Sequence, residues 1–241
     1  MEEIHYLIKD ELEIIQDNRF FKFGTDSVLL SNFVDLRQGD KVLDLGTGSG
    51  VIPLLLAYKN EGVKISGIEI QKPLAELAKR NVDLNSLEDK IDIINHDLCK
   101  LDDISDAGTY DVVVSNPPYL PVGEGQMTEN KYLAAARHEI HAEIEDVIAS
   151  ASKVLKYGGI FYLVYRAERL TEVIELLADY NCQAKELRLV QSRIDKEADI
   201  FLLKAKKGAK SGIRIKPVLI IYKEDSNEYT DEVKEIYGED I

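Results

Sequence analysis

Asn116-Pro117-Pro118-Tyr119 carries the clearest chemical signature in this 241-residue chain. An exocyclic amine on an aromatic ring, or a side-chain amide, is a poor nucleophile because its lone pair is delocalised. Two hydrogen-bond acceptors aimed at its N–H groups turn that lone pair toward an electrophile. The Asn116 side-chain oxygen is one acceptor and the Pro117 carbonyl the other. The two prolines hold the backbone so that this carbonyl points inward. Tyr119 offers a flat face for stacking a planar substrate, worth ~1–3 kcal/mol per stacked base. With an activated electrophile no strong base is needed, and the rate comes from positioning and aligned acceptors.

A second set of residues could hold a nucleoside. Asp44-Leu-Gly46-Thr-Gly48-Ser-Gly50 follows an apolar run and opens a helical one. Its glycines permit positive φ and close approach of the backbone to a ligand. The spacing is G-x-G-x-G, not the G-x-G-x-x-G that lays a pyrophosphate on a helix N-terminus. Glu69 ends the next strand-like run and can accept both ribose hydroxyls. Asp97 follows the third and can accept the adenine amino hydrogens. Three successive strand ends then line one crevice.

This order of Asp-x-Gly-x-Gly-x-Gly, acidic strand end and Asp resembles the class I, Rossmann-like S-adenosylmethionine methyltransferases. The resemblance implies a sulfonium methyl as the electrophile. It also implies that the glycine loop binds the methionine moiety, Glu69 the ribose and Asp97 the adenine. The Asn-Pro-Pro-Tyr tetrapeptide resembles methyltransferases of adenine N6 and, equally, those of the glutamine side-chain amide. Phe20-Phe21-Lys22-Phe23-Gly24-Thr25-Asp26-Ser27, Ala136-Arg137-His138-Glu139 and the late KPVLIIYKED…YTDEVKEIYG stretch resemble the methyltransferases of adenosine 37 in a valine tRNA. That likeness runs from about residue 10 to the end. It implies cofactor contacts from Lys22, Phe23, Gly24 and Thr25, from Asp44, Gly46, Thr47, Gly48 and Gly50, and from Glu69, Ile70, Asp97, Leu98 and Asn116. Asn116, Pro117 and Tyr119 would be catalytic, with Pro118, Tyr119 and Arg137 touching substrate. The implied activity is N6-methylation of an adenine in tRNA. The alternatives are N5-methylation of a glutamine in a translation release factor and N6-adenine methylation of rRNA or DNA. The release-factor enzymes carry a separate helical domain ahead of the cofactor fold, and only about 40 residues precede Val42 here.

The elements that must position these groups alternate. A helix is predicted after the cap candidates Thr25-Asp26-Ser27, through VLLSNFVDL. KVLDL (41–45), KISGIE (64–69), IDIIN (91–95), YDVVVSN (110–116) and IFYLVYR (160–166) read as strands. Residues 51–60, 72–85, 143–156 and 168–180 read as helices, the third stopped by Gly158-Gly159. ELRLVQS and ADIFLLKAK follow as two strands with no helix between them. Residues 8–18 and 20–23 read as extended, and 216–223 as one more apolar segment. The pattern predicts an α/β fold, a mostly parallel sheet with an antiparallel edge and helices on both faces. Residues 1–40 would form an extension closing over the cofactor site, 41–206 the catalytic domain, and 207–241 a basic loop, strand and acidic tail on the same domain.

The formal net charge of −14 argues against a general polyanion binder. Its distribution is uneven. Residues 204–216 hold six basic side chains and no acidic one, and Lys204, Lys206, Lys207 and Lys210 are candidates to grip tRNA phosphates. The stretch 224–241 is strongly acidic and is expected to form a solvated amphipathic helix. Cys99 and Cys182 have no metal-ligand spacing, and His138 and His141 lack the partners of a metal site. With no basic signal segment and no membrane-length apolar run, the chain is expected to be a cytoplasmic, metal-free monomer.

Overall fold

The computed structural model describes residues 1–20, 23–119 and 142–238. Strands β1 (Glu2–Ile8) and β2 (Leu12–Asp17) form a hairpin. It begins earlier than the sequence predicts, because residues 2–6 are exposed and carry no apolar alternation. Helix α1 (Thr25–Phe33) follows, then β3 (Lys41–Leu45), α2 (Val51–Lys59), β4 (Lys64–Glu69), α3 (Lys72–Leu84), β5 (Ile91–Asn95) and β6 (Tyr110–Ser115). Beyond residue 142 come α4 (Ile144–Val154), β7 (Leu155–Arg166), α5 (Leu170–Asp179), β8 (Cys182–Gln191) and β9 (Ala198–Lys207). The two-residue strands β10 (Arg214–Ile215) and β11 (Leu219–Ile220) and helix α6 (Asp231–Tyr237) complete the described chain.

Strand order in the large sheet is β10-β8-β9-β7-β6-β3-β4-β5, with β11 also paired to β8. The sheet grows outward from β3 in both directions, so the strand order reverses between β3 and β6. That reversal is where open α/β sheets bind ligands. The expected antiparallel edge takes another form: β9 is antiparallel to both neighbours and lies between β7 and β8 rather than outermost. Alternate strand residues feed two cores. Val42, Ile65, Val112, Val114 and Val164 meet α1, α2 and α3 on one face. Leu43, Leu45, Val113, Phe161 and Leu163 meet α4 and α5 on the other. This period-two division is how a strand buried on both sides serves two layers.

Three boundaries differ from expectation. Gly24 caps α1, with no side-chain cap bond, so Thr25, Asp26 and Ser27 lie within its first turn. The α4 backbone passes into β7 at Leu155 with no intervening stop, and Gly158 (φ +81°) and Gly159 lie inside that strand. Of the apolar segment 216–223 only Leu219–Ile220 pairs as a strand.

The termini are tied in by specific contacts. Asn81 exchanges hydrogen bonds with the Ile15 backbone (2.7 and 3.2 Å), and Asn85 does so with Glu13 (2.9 and 2.8 Å). Two amides therefore satisfy the free edge of β2 against α3. Tyr222, Tyr229 and Tyr237 stack at centroid spacings of 5.5 and 5.3 Å, and α6 packs against α1. The acidic tail contributes α6, an amphipathic helix whose Val233 and Ile236 are buried while Asp231, Glu232 and Glu235 stay exposed.

Candidate active site

A cavity of about 420 Å³ opens at the carboxyl ends of β3, β4, β6 and β7. The loop after β3 forms its floor. The Gly46 and Thr47 amides both donate to the Ile68 carbonyl (3.0 and 2.9 Å), which stitches the loop to β4. Gly46 and Gly48 have φ of +76° and +58°, and a Cβ on either would project into open space. Gly67 makes room beneath: a Cβ there would lie 2.8 Å from Thr47 Oγ1. Glu69, buried at the end of β4, accepts from the Gly48 amide (3.0 Å) and the Gln71 amide (2.8 Å). A carboxylate has about four acceptor sites, so two remain for a ligand. Asp97 accepts from the Cys99 amide and faces the same cavity, with Ile70, His96 and Leu98.

Asn116 and Pro117 sit just past β6, beside this floor. Asn116 Nδ2 donates to Ser27 Oγ (2.9 Å). The Tyr119 hydroxyl lies 2.6 Å from Asn116 Oδ1 and 2.8 Å from Asp26 Oδ2. Its ring packs edge-on against Tyr165, with centroids 5.6 Å apart. Burial holds the Tyr119 phenol well above its ordinary pKa and pushes the Asp26 carboxyl up. The ring expected as a free stacking face is therefore turned inward, its hydroxyl standing where a substrate N–H would meet Asn116.

The predicted residues divide clearly. Phe23, Gly24, Gly46, Thr47, Gly48, Glu69, Ile70, Asp97, Leu98, Asn116, Pro117, Pro118 and Tyr119 all line the cavity. Thr25 does not. A Cβ on Gly50 would contact Ala78 of α3 at 3.5 Å, so Gly50 serves helix packing. Asp44 is fully buried at the end of β3. Lys22 and Arg137 lie outside the described residues, as do His138 and His141. Lys204, Lys206, Lys207 and Lys210 lie away from the cavity. β9 runs antiparallel from Ile200, which pairs with Arg166, and six residues of strand put Lys206 ~20 Å from the crevice end. Lys207 Nζ is spent on the Ser152 and Leu155 carbonyls, and Lys204 Nζ sits over the Tyr162 ring near Glu186. Sequence reasoning missed Asp26, Ser27 and Arg166. The first two were read as cap candidates within the segment resembling the tRNA enzymes, with no contact of their own assigned; Arg166 ends a strand next to β6, a position that could have marked it.

The residues fit a cationic nucleoside cofactor. Asp26, Glu69 and Asp97 line the cavity against one guanidinium, Arg166. Among the described residues, both Asp44 carboxylate oxygens and the Thr47 hydroxyl are buried with no hydrogen-bond partner. Burial pushes the Asp44 carboxyl up to about 7, and the neighbouring Glu69 adds to the push. A cation bound nearby favours the charged carboxylate. A cofactor cation seated beside Asp44 would drive its proton off, coupling binding to proton release below about pH 7. Two effects follow. Because the folded pKa lies above the unfolded value of ~3.9, this group favours folding at low pH and loses that contribution as pH rises toward 7. Cofactor affinity changes the opposite way, improving as pH rises through the same window. Thermal unfolding of wild type and Asp44→Asn with and without S-adenosylmethionine, from pH 5.5 to 8.5, checks both: the apo variant's gain in Tm over wild type should grow with pH. A gain independent of pH removes Asp44 from this role.

This fold and this site define a class I S-adenosylmethionine-dependent N-methyltransferase, the cofactor supplying the methyl group. The methyltransferase small domain family matches residues 21–186, and the chain belongs to it. It is similar to proteins named tRNA1(Val) (adenine(37)-N6)-methyltransferase. That of Aeromonas salmonicida is 31% identical over 194 residues, covering 80% of each chain. That of Trichodesmium erythraeum is 33% identical over 180 residues, covering 73% of this chain and 74% of the relative. Among solved structures, one described as a predicted O-methyltransferase from Agrobacterium tumefaciens superposes with a TM-score of 0.72 at 22% identity, covering 88% of this chain and 95% of that one. This likeness establishes the fold. Among the described residues no three His, Cys, Asp or Glu side chains gather as a metal site, and no helix is long and apolar enough to cross a membrane.

Proposed function

We propose that this enzyme methylates N6 of an adenine in tRNA, adenosine 37 in the anticodon loop of a valine tRNA, in the cytoplasm. The observation that carries the chemistry is the Asn116–Pro117 pair at the carboxyl end of β6, opening on the nucleoside cavity. The choice of adenine in tRNA is supported by the relatives' names. In this reading Glu69 holds the cofactor ribose, Asp97 its adenine and the Gly46–Gly48 backbone its methionine end. Asn116 Oδ1 and the Pro117 carbonyl accept the two N6 hydrogens once the Tyr119 hydroxyl has left Oδ1, and Pro118 and the displaced Tyr119 ring flank the base. The segment before β3 closes over the cofactor. Adenosine 37 lies in a single-stranded loop, so it leaves a stack but no base pair, at a cost of at most a few kcal/mol.

Labelled-methyl transfer to unmodified tRNA, rRNA and recombinant release factor, followed by mass analysis, tests the proposal. N6-methyladenosine in the valine tRNA is expected. N5-methylglutamine in the release factor, or label confined to rRNA, overturns it.

The exposed Lys206 and Lys210 can reach only parts of a tRNA distant from the reacting base. Neutralising both should weaken binding of whole tRNA and flatten its salt dependence. Methylation of an isolated anticodon stem-loop should be unchanged. Equal loss on both substrates would contradict this placement.

A further inference from the structure

A carboxamide is nearly symmetric in shape and opposite in polarity at its two ends. Rotating the Asn116 amide by half a turn would replace the acceptor with a donor. Two donors would then face each other across the substrate nitrogen, and its lone pair would lose its alignment. What holds the amide in one sense is therefore as important as the amide itself.

Neither sequence motif contains that group. The Asn116 Nδ2 end is turned to Ser27, whose Oγ is 2.9 Å away. Among the described residues this is the one hydrogen bond that Nδ2 makes. Ser27 sits in the first turn of α1, is 9% exposed, and its own carbonyl accepts from Ser31 Oγ at 2.7 Å. At the other end, Oδ1 is engaged by the Tyr119 hydroxyl, which Asp26 Oδ2 also engages. A substrate amine arriving at Oδ1 must displace that hydroxyl. From then on Ser27 is the remaining brace on the amide. We propose that Ser27 is a positioning residue that fixes which end of Asn116 meets the substrate. This rests on the planar-amine reading of the site, whether the nitrogen belongs to adenine or to glutamine.

Without the Ser27 hydroxyl, the reactive orientation leaves a buried NH₂ unpaired. Ser27→Ala should lower kcat by about 10- to 100-fold, as expected for an unsatisfied buried donor. The cofactor Kd and Tm should stay near wild type, and Ser27→Thr should recover most of the loss. A double-mutant cycle separates positioning from a general structural effect. Asn116→Asp presents an acceptor oxygen whichever way it turns, so in that background Ser27→Ala should cost less than about twofold. Equal loss in both backgrounds, or wild-type kcat in Ser27→Ala, overturns the proposal. If Asn116→Asp is too slow to measure, failure of threonine to rescue overturns it instead. Product analysis of the wild-type enzyme is run alongside. A wild type that methylates no planar nitrogen would overturn the reading of the site, while an absent coupling in an active enzyme would overturn only the role of Ser27.

Discussion

Asn116→Ala should lower kcat by at least about a hundredfold to a thousandfold, the range for removing one preorganised group that acts at the reacting centre. The cofactor Kd should change by less than about threefold, because the side-chain bonds of Asn116 run to Ser27 and Tyr119 rather than across the glycine loop. The loss should appear in kcat more than in KM, since the acceptor acts on the lone pair as it turns to the methyl carbon. Isothermal titration with S-adenosylmethionine and single-turnover transfer measure the two quantities separately. Undiminished transfer would remove Asn116 from the mechanism. A large fall in cofactor affinity with little change in kcat would make it a cofactor residue alone.

Glu69→Ala should raise the cofactor Kd by more than tenfold. Its carboxylate is 5% exposed and already accepts the Gly48 and Gln71 amides. Removal deletes the charged acceptor for the ribose and also leaves two backbone donors of the binding loop unpaired. Hydrogen bonds to charged groups contribute ~1.5–3 kcal/mol each, and an abandoned buried donor costs ~1–3 kcal/mol. Glu69→Gln keeps an acceptor for one of the amides, so it should lose less affinity and less Tm than the alanine variant. An unchanged titration in Glu69→Ala would exclude the residue from the site. Equal losses in both variants would show that charge alone matters.

Much of this architecture is legible in the sequence because parallel strands buried on both sides are short apolar runs between turn residues. β3, β4 and β5 have the predicted bounds. The cofactor floor is legible for the same reason: its residues lie at strand ends, where position follows from order along the chain. Two kinds of feature are not. One is pairing between distant segments. Residues 2–6 form half a hairpin, yet their exposure erases the apolar pattern. The place of β9 between β7 and β8 is likewise decided by tertiary packing rather than by local composition. The other is side-chain commitment. Lys207 reads as a free cation until its ammonium is seen closing on two carbonyls, and Thr25 reads as a cofactor residue but lies off the cavity lining. Ser27 is the reverse case, a presumed helix cap whose hydroxyl reaches a motif 89 residues away.

The tyrosine ladder has a consequence for how the protein is made. Translation delivers the sheet strands in order, and α6, which packs against α1, emerges after all of them. A nascent chain can assemble β3 through β7 while still on the ribosome, since domains form as their segments emerge. The helix bearing Asp26 and Ser27 gains its contact with α6 only once residues 231–237 have emerged. Until then the floor of the cavity is built but α1 lacks this support.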